Sequence, residues 1–422
     1  MILFAYGWLM RLLSPLLLLK LYLRSRKEPL YGVSVSERFG FYGMPARPGG
    51  VWIHAVSLGE TRAIQTLVAA LRKVHPGVKF VFTHGTATGR EQGLGLLQDG
   101  DVQVWQPWDT PEMVARFLRH FQPRAGFLVE TEVWPVMVDQ AHKHGVPVVL
   151  LNARLSAKSL RRSLQWSALS RPAFQKLHGV WAQSEQDAKR FQALGVTVQS
   201  VMGNLKFDAV PDSQQLENGL AWRKSMAKPV VLLAISREGE EAALLDLLAQ
   251  QPAYLHDVQW WLVPRHPQRF EQVAALVHAK GFSLQMRSDW GETPELQACR
   301  SDTQVVLGDS MGEMPFYFGA ASVCLLGGSF EPLGGQNLIE ACACACPVVM
   351  GPHTFNFAQA AQLALQDGAA IRVQDMPQAM EIAHQLALDR AACQQKSISA
   401  TEFAARHQGA VARCLQLMQP WL

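Results

Sequence analysis

From Val51 onward the chain alternates short apolar runs with longer stretches in which apolar residues recur at helical spacing. The runs fall into two series. The first comprises 51–56, 79–83, 102–105, 126–129, 147–151, 179–182 and 198–202, and the second 230–235, 258–263, 282–285, 304–307, 322–326, 347–350 and 370–373. Runs this short, rich in Val, Ile and Leu and closed by turn residues, read as strands buried on both faces. Their alternation with helical pattern implies parallel sheets with crossover helices. The expected fold class is α/β, with two doubly wound Rossmann-like domains. Between the series, Ala209 to Pro229 breaks the rhythm with Pro, Asp, Ser, Gln and Asn, and reads as a linker carrying a short helix. The chain then divides into an apolar segment 1–30, a domain 31–208, the linker 209–229 and a domain 230–422 whose terminal helices can pack back on the first. No repeat at solenoid period appears.

Met1 to Leu23 is strongly apolar, carries Tyr6, Trp8 and Tyr22 near its ends, and is interrupted by Arg11, Pro15 and Lys20. No small-residue cleavage site follows it, so the segment is expected to stay attached. Arg24, Arg26 and Lys27 come next, and the positive-inside tendency puts the following domain on the cytoplasmic face of a membrane. The segment either spans once or lies in the interface, with Arg11 and Lys20 snorkelling to headgroups. A helix docked on the protein's own core is a third reading, which leaves the basic cluster without a role.

The totals narrow the function classes. A chain of 422 residues, 49% hydrophobic and 18% charged, can bury sizeable cores. A formal charge of +4 without a tract of cations interleaved with aromatics gives no argument for nucleic acid. Seven cysteines, several inside apolar runs, do not make a disulfide framework, and a reducing compartment is the simpler reading. Cys342, Cys344 and Cys346 lie among alanines at a spacing that suits small packing residues better than a zinc site. No dinucleotide or Walker A fingerprint is present, so neither metal nor cofactor is expected.

Candidate chemistry gathers at the ends of the predicted strands, where ligands of doubly wound sheets bind. The run Val305–Leu307 leads into Gly308-Asp309-Ser310-Met311-Gly312-Glu313, and 322–326 leads into Gly327-Gly328-Ser329 and Gly334-Gly335-Gln336-Asn337 ahead of Glu340. Small residues and free N–H groups at helix starts suit an anion. In the first domain, Ser57-Leu58-Gly59-Glu60 follows a strand, and Glu130-Thr131-Glu132 sets two carboxylates two residues apart after another. Arg154 and Lys206 follow strands as cations, and Val263-Pro264-Arg265-His266-Pro267 ends a strand with an arginine between prolines. Taken alone, Glu60 could simply favour a helix dipole, one of the paired acids could cap the next helix, and the loop cations could be solvated.

Asp309-Ser310-Met311-Gly312-Glu313, Gly327-Gly328-Ser329, Gly334-Gly335-Gln336-Asn337, Glu340 and Met350-Gly351-Pro352-His353-Thr354-Phe355-Asn356-Phe357 together resemble the signature of the bacterial 3-deoxy-D-manno-octulosonic acid (Kdo) transferases. The likeness runs almost from end to end. It implies an inner-membrane, cytoplasm-facing glycosyltransferase of the GT-B class, two doubly wound domains facing across a cleft, that moves Kdo from CMP-Kdo to the lipid A precursor, lipid IVA, by inverting displacement with release of CMP. It further implies Glu60 as the base that deprotonates the acceptor hydroxyl, supported by His54. Glu130 and Glu132, with Glu130 slightly ahead, and Lys206 would support the transition state. Pro264, Arg265, Gly312, Glu313, Met314, Gly335, Gln336, Asn337 and Glu340, with Ser236, would hold the donor, Arg265 taking the CMP phosphate. Ser36-Glu37-Arg38-Phe39-Gly40-Phe41-Tyr42-Gly43 resembles the family's stretch after its anchor and is placed to touch lipid or acceptor.

Two departures stand out. The family's Gly-Gly-His-Asn is Gly334-Gly335-Gln336-Asn337 here, and Ser236-Arg237-Glu238-Gly239-Glu240 stands where the pattern has the longer Ser-Thr-His-Glu-Gly-Glu. The rival readings are a GT-B transferase using a UDP-sugar and a membrane-attached binding protein that has lost its chemistry.

Overall fold

The computed structural model describes residues 1–291, 299–300 and 302–422. These form two compact units, Met1–Ala209 with Gln408–Leu422, and Val210–His407.

The first unit holds β1 (Val51–His54), β2 (Phe80–His84), β3 (Val102–Trp105), β4 (Ala125–Val129), β5 (Val148–Ala153), β6 (Gly179–Ala182) and β7 (Val198–Val201). They pair in parallel in the order β3-β2-β1-β4-β5-β6-β7. The five inner strands β1, β2, β4, β5 and β6 are buried on both faces, while the edge strands β3 and β7 are partly exposed. Ile53, Phe82, Phe127 and Val129 pack under Ile64 and Leu67 of helix Leu58–Val74, while Trp52, Leu128 and Leu150 pack under Phe117 and Val138 on the other side. The order in which strands are added to the sheet reverses between β1 and β4, so the loops after these two strands flank the crevice where doubly wound sheets take ligands.

Helix Ala410–Met418 completes the first unit. Asp208 accepts from Gly409 N at 2.6 Å and from Val411 N, and Arg413 Nε donates to Met202 O at 2.6 Å. Ala410, Val411, Cys414 and Met418 enter the same core as Ile53 and Phe127.

Helix Ile2–Ser25 is long and apolar enough to cross a membrane by length and composition. One side of it is docked. Gly7 lies against the Pro111 ring, the Tyr6 hydroxyl donates to Asp109, and Leu21 packs with Tyr31 and Trp105. Arg11, expected to snorkel, instead pairs with Glu112, its Nε donating at 2.9 Å. The rest of the helix exposes Ile2, Phe4, Leu9, Leu12, Leu16, Leu19 and Leu23.

The stretch from Ser36 does not offer its charges to lipid or acceptor. Glu37 and Arg38 are buried: Glu37 accepts from Arg90 Nη1 at 2.6 Å and Trp105 N at 2.7 Å, and Arg38 Nη2 donates to Gly85 O at 3.0 Å. Burying charge is tolerable only with partners, and these partners fasten the loops after β2 and β3.

The second unit holds β8 (Val230–Ser236), β9 (Gln259–Pro264), β10 (Leu284–Met286), β11 (Val305–Leu307), β12 (Val323–Leu326), β13 (Val348–Met350) and β14 (Ala370–Arg372). These are also parallel, in the order β10-β11-β9-β8-β12-β13-β14, with the reversal between β8 and β12. The stretch read as a linker is mostly helix Ser213–Ser225, and it is built into this unit. Gly219 meets helix Met314–Ala320 so closely that a Cβ there would lie 2.2 Å from Phe316 O, and buried Trp222 stacks on Trp290 at 4.6 Å. Its polar composition describes only the outer face. Cys342, Cys344 and Cys346 are buried with Cys324 in this unit, and burial pushes the Cys342 and Cys344 thiols up, as inert packing residues require.

Asp208→Ala removes the acceptor for two N–H groups at the start of helix Ala410–Met418. Urea unfolding is expected to show a loss of about 0.5–2 kcal/mol, the range for helix caps. An unchanged midpoint would mean that the carboxylate contributes nothing to seating the helix.

Candidate active site

The loop after β1 makes Ser57 the N-cap of helix Leu58–Val74, accepting from Glu60 N at 3.4 Å. The Glu60 carboxylate folds back, accepting from Val56 N at 2.6 Å and from Ser57 Oγ at 3.1 Å. The carboxylate reaches back past the Ser57 cap to Val56 N, a variant of the capping box, so Glu60 does help the helix start. A cap alone does not require burial, however, and Glu60 is only 9% exposed. Loss of hydration, then the charges of Glu132 and Glu130, outweigh the two hydrogen bonds and push its carboxyl up to about 7. A carboxylate so tuned can accept a proton near neutrality.

Glu130 lies immediately after β4, across the switch point from Glu60. Its φ of +60° is the left-handed region, which a non-glycine residue occupies at a cost of roughly 1–2 kcal/mol. The surroundings enforce it: Glu130 N donates to Leu151 O at 2.9 Å, and Arg154 N donates to Glu130 O at 3.2 Å. The side chain receives Lys206 Nζ at 2.7 Å on one oxygen and lies 3.6 Å from Arg154 Nη2 on the other. Glu132 accepts from Trp134 Nε1 at 2.9 Å, and burial raises its carboxyl.

Lys206 is aimed by a residue the sequence does not single out for that task. Asn152, at the end of β5 with φ +53°, accepts from Leu205 N at 3.1 Å and so places the 3-10 turn Leu205–Asp208. An asparagine closing an apolar strand is the signal that could have pointed to it. His54 is wholly buried and held near neutral form, its pKa lowered to about 3 chiefly by burial. Its Nδ1 and Trp52 Nε1 share the Thr83 hydroxyl at 2.7 and 2.8 Å. It braces β1 beneath the site.

In the second unit, the donor residues expected from the sequence lie at the carboxyl ends of β8, β9, β11 and β12, in the final strand residues, the loops and the first turns of the following helices. Pro264 is buried at the end of β9, and half-buried Arg265 donates its N–H to Ser236 O at 3.0 Å. Ser236 itself is fully buried and its hydroxyl is committed to Glu241 at 2.6 Å, so it shapes the loop. The residue before it, Ile235, has φ +56°, an outlier for a β-branched side chain. Gly327 fits only because it has no side chain: a Cβ there would lie 2.4 Å from Ile235 O.

Glu313 accepts from Arg287 at 2.8 Å and from Ser310 at 2.5 Å, Gly312 has φ +80°, and Met314 opens the next helix. Gly335 N donates to Gly328 O at 2.7 Å, and Asn337 caps its own helix by accepting from Ile339 N at 3.2 Å. Gln336 and Glu340 are half-buried beside them. Buried Glu240 was missed as an organiser. It accepts from Arg237 N at 2.9 Å, Gly328 N at 2.7 Å and Phe330 N at 3.1 Å, tying the loop after β8 to the loop after β12. Among the described residues, no group of three or more His, Cys, Asp or Glu could hold a metal ion.

Residues 33–209 match the family profile described as 3-Deoxy-D-manno-octulosonic-acid transferase (kdotransferase). The 3-deoxy-D-manno-octulosonic acid transferase of Bordetella pertussis is 41% identical, covering 99% of this chain and 99% of that protein. The Haemophilus influenzae protein of the same description is 33% identical over 99% and 98%. Among solved structures, UDP-GlcNAc 2-epimerase from Neisseria meningitidis superposes with a TM-score of 0.57 at 14% identity, covering 88% of this chain and 100% of that one. At that identity the likeness concerns the fold alone, and it agrees with the GT-B class that the family resemblance implies.

The Lys206–Glu130 contact is testable without any ligand. The double variant Lys206→Met, Glu130→Gln should be less destabilised than the sum of the two single variants, by about 1 kcal/mol or more, because each single change takes the 2.7 Å ion pair away from a largely buried charge. Strict additivity in denaturant titrations would show that the two side chains do not interact.

Proposed function

The chain belongs to the 3-deoxy-D-manno-octulosonic acid transferase family, and from that premise we propose how its residues carry out the reaction. It is a glycosyltransferase that transfers Kdo in lipopolysaccharide core biosynthesis. The donor is CMP-Kdo and the acceptor a hydroxyl of the glucosamine disaccharide of the lipid A precursor. The acceptor oxygen attacks the Kdo anomeric carbon as the bond to the CMP phosphate breaks. The electron pair leaves with CMP, the acceptor proton passes to Glu60, and configuration inverts.

The observation that carries this reading is Glu60: a carboxylate with its proton affinity raised to about 7, at the switch point of the first sheet. Lys206, held by Glu130, supplies positive charge for the carboxylate that Kdo bears on its anomeric carbon. Glu132 keeps Glu60 basic. In the second unit, Arg265 takes the phosphate of CMP, a role that suits a planar guanidinium. The loops carrying Pro264, Gly312, Glu313, Met314, Gly335, Gln336, Asn337 and Glu340 shape the rest of the donor pocket. Ser236 and Glu240 hold those loops from beneath.

The apolar stripe of helix Ile2–Ser25 sits in the bacterial inner membrane from the cytoplasmic side, with Arg24, Arg26 and Lys27 at the headgroups. Tyr6, Gly7, Arg11 and Leu21 are docked along most of the helix's length, and a helix so held lies in the interface; crossing the bilayer would cost all four contacts.

Glu60→Gln keeps size and hydrogen bonding but cannot accept a proton. Single-turnover transfer to the lipid acceptor should fall by about 100- to 10,000-fold while CMP affinity stays near wild type. The nucleotide released by the wild type should be CMP. A Glu60→Gln rate within about tenfold of wild type would remove Glu60 as base, and UDP-sugar turnover would favour the rival donor.

A further inference from the structure

Close to the acids of the first unit is a pocket of about 340 Å³, inside the size range of small-molecule sites. Its walls are mostly apolar: Leu150, Leu155, Leu169, Phe174 and Phe191 among them. Two further wall residues tie it to the chemistry. Thr131 is the residue between Glu130 and Glu132, and Arg154 is the one 3.6 Å from the Glu130 carboxylate. Sheet faces covered by helices normally close to interior packing density. Here the cover is incomplete, because helix Ala157–Gln165 buries no residue and the following Trp166, also in the wall, is 69% exposed.

Resting on the transferase reading above, we propose that this pocket receives an acyl chain of the lipid acceptor. Three observations select that occupant. The walls are predominantly hydrocarbon and aromatic surface, with serine hydroxyls and one arginine rather than the paired donors and acceptors a base or sugar needs. Helix Ser167–Gln175, which contributes Leu169, Ala173 and Phe174 to the wall, also packs against helix Ile2–Ser25, whose outer stripe is apolar. A chain passing from a bilayer to the pocket therefore stays beside apolar side chains. Around the incomplete cover stand exposed Lys158, Arg161, Arg162 and Arg171, complementary to an anionic headgroup.

The pocket makes acceptor choice a matter of length. A disaccharide whose chain fills the pocket has its hydroxyl retained near Glu130 and Glu60, and one with short chains gains no such anchoring. An ordinary phospholipid has acyl chains too, but its occupancy would not depend on the acceptor.

The test compares kcat/KM for the glucosamine disaccharide bisphosphate carrying long acyl chains with that for the same disaccharide carrying four-carbon chains. The wild type should prefer the long-chain acceptor by about tenfold or more. Ser163→Phe and Leu169→Trp, which fill the pocket from two different helices, should each reduce the ratio to within about threefold. A wild type without preference, or folded variants that both keep it, overturns the proposal. A second arm needs no turnover: a long-chain acceptor with a terminal diazirine should label peptides from 157–175, and excess phosphatidylglycerol should not prevent it. Labelling confined to the anchor helix, or lost to phosphatidylglycerol, overturns the pocket as an acceptor site. Labelling at 157–175 by a protein that transfers Kdo to neither acceptor would instead overturn the assignment of the reaction.

Discussion

Removing the Glu60 carboxylate from water is the constraint on which the candidate site in the first unit turns. In an exposed capping box this side chain would be an ordinary anion that helps a helix begin. Here burial and the neighbouring acids oppose its charge, and the hydrogen bonds from Val56 and Ser57 only partly compensate. Glu132 and Glu130 both act on Glu60 as like charges, and neighbouring cations lower the cost of keeping such acids ionised together. Lys206 and Arg154 fill that role at Glu130. The arrangement leaves one acid paired and another poised to take a proton.

Both sheets place their loops by the same means. At the last residues of a parallel strand or just past them, one residue takes a backbone conformation that costs energy, and the interior holds it there. Glu130, Asn152 and Ile235 all have φ between +53° and +60° at strand ends. Hydrogen bonds to neighbouring strands enforce the first two, and the close approach of Gly327 packs against the carbonyl of the third. Strain of this kind persists only where surroundings over-determine it, and here it fixes the direction of loops that carry the proposed ligands.

The inner strands were legible because they are buried on both faces, so runs such as Ala125–Val129 and Val323–Leu326 read as unbroken apolar stretches, while edge strands such as Val198–Val201 carry polar, partly exposed residues. Motif spacing likewise brought Glu60, Glu130, Glu132 and Lys206 to one sheet edge. What stayed hidden depends on partners distant in sequence. The packing of Gly219 on Phe316, the pairing of Arg11 with Glu112 and the burial of Glu37 with Arg90 are invisible to local pattern. Ser236 looks like a ligand group until its bond to Glu241 is seen, and Glu240 looks like a helix-start acid until it is found accepting from three N–H groups. The pocket beside Thr131 has no sequence signature, since it is the space left by an incomplete helix layer.

The central claim is that Glu132 helps hold Glu60 in a protonation range useful for accepting a proton. It is tested most directly by the pH dependence of acceptor kcat/KM in the wild type and in Glu132→Gln. A base must be ionised to act, so the wild-type rate should fall on the acid side of a pKa about 7. Glu132 is the larger of the two like charges that raise this value, so its neutralisation should move the acid limb to lower pH. A limb that stays in place in Glu132→Gln, or a wild-type rate that does not decline toward acid pH, would contradict the account.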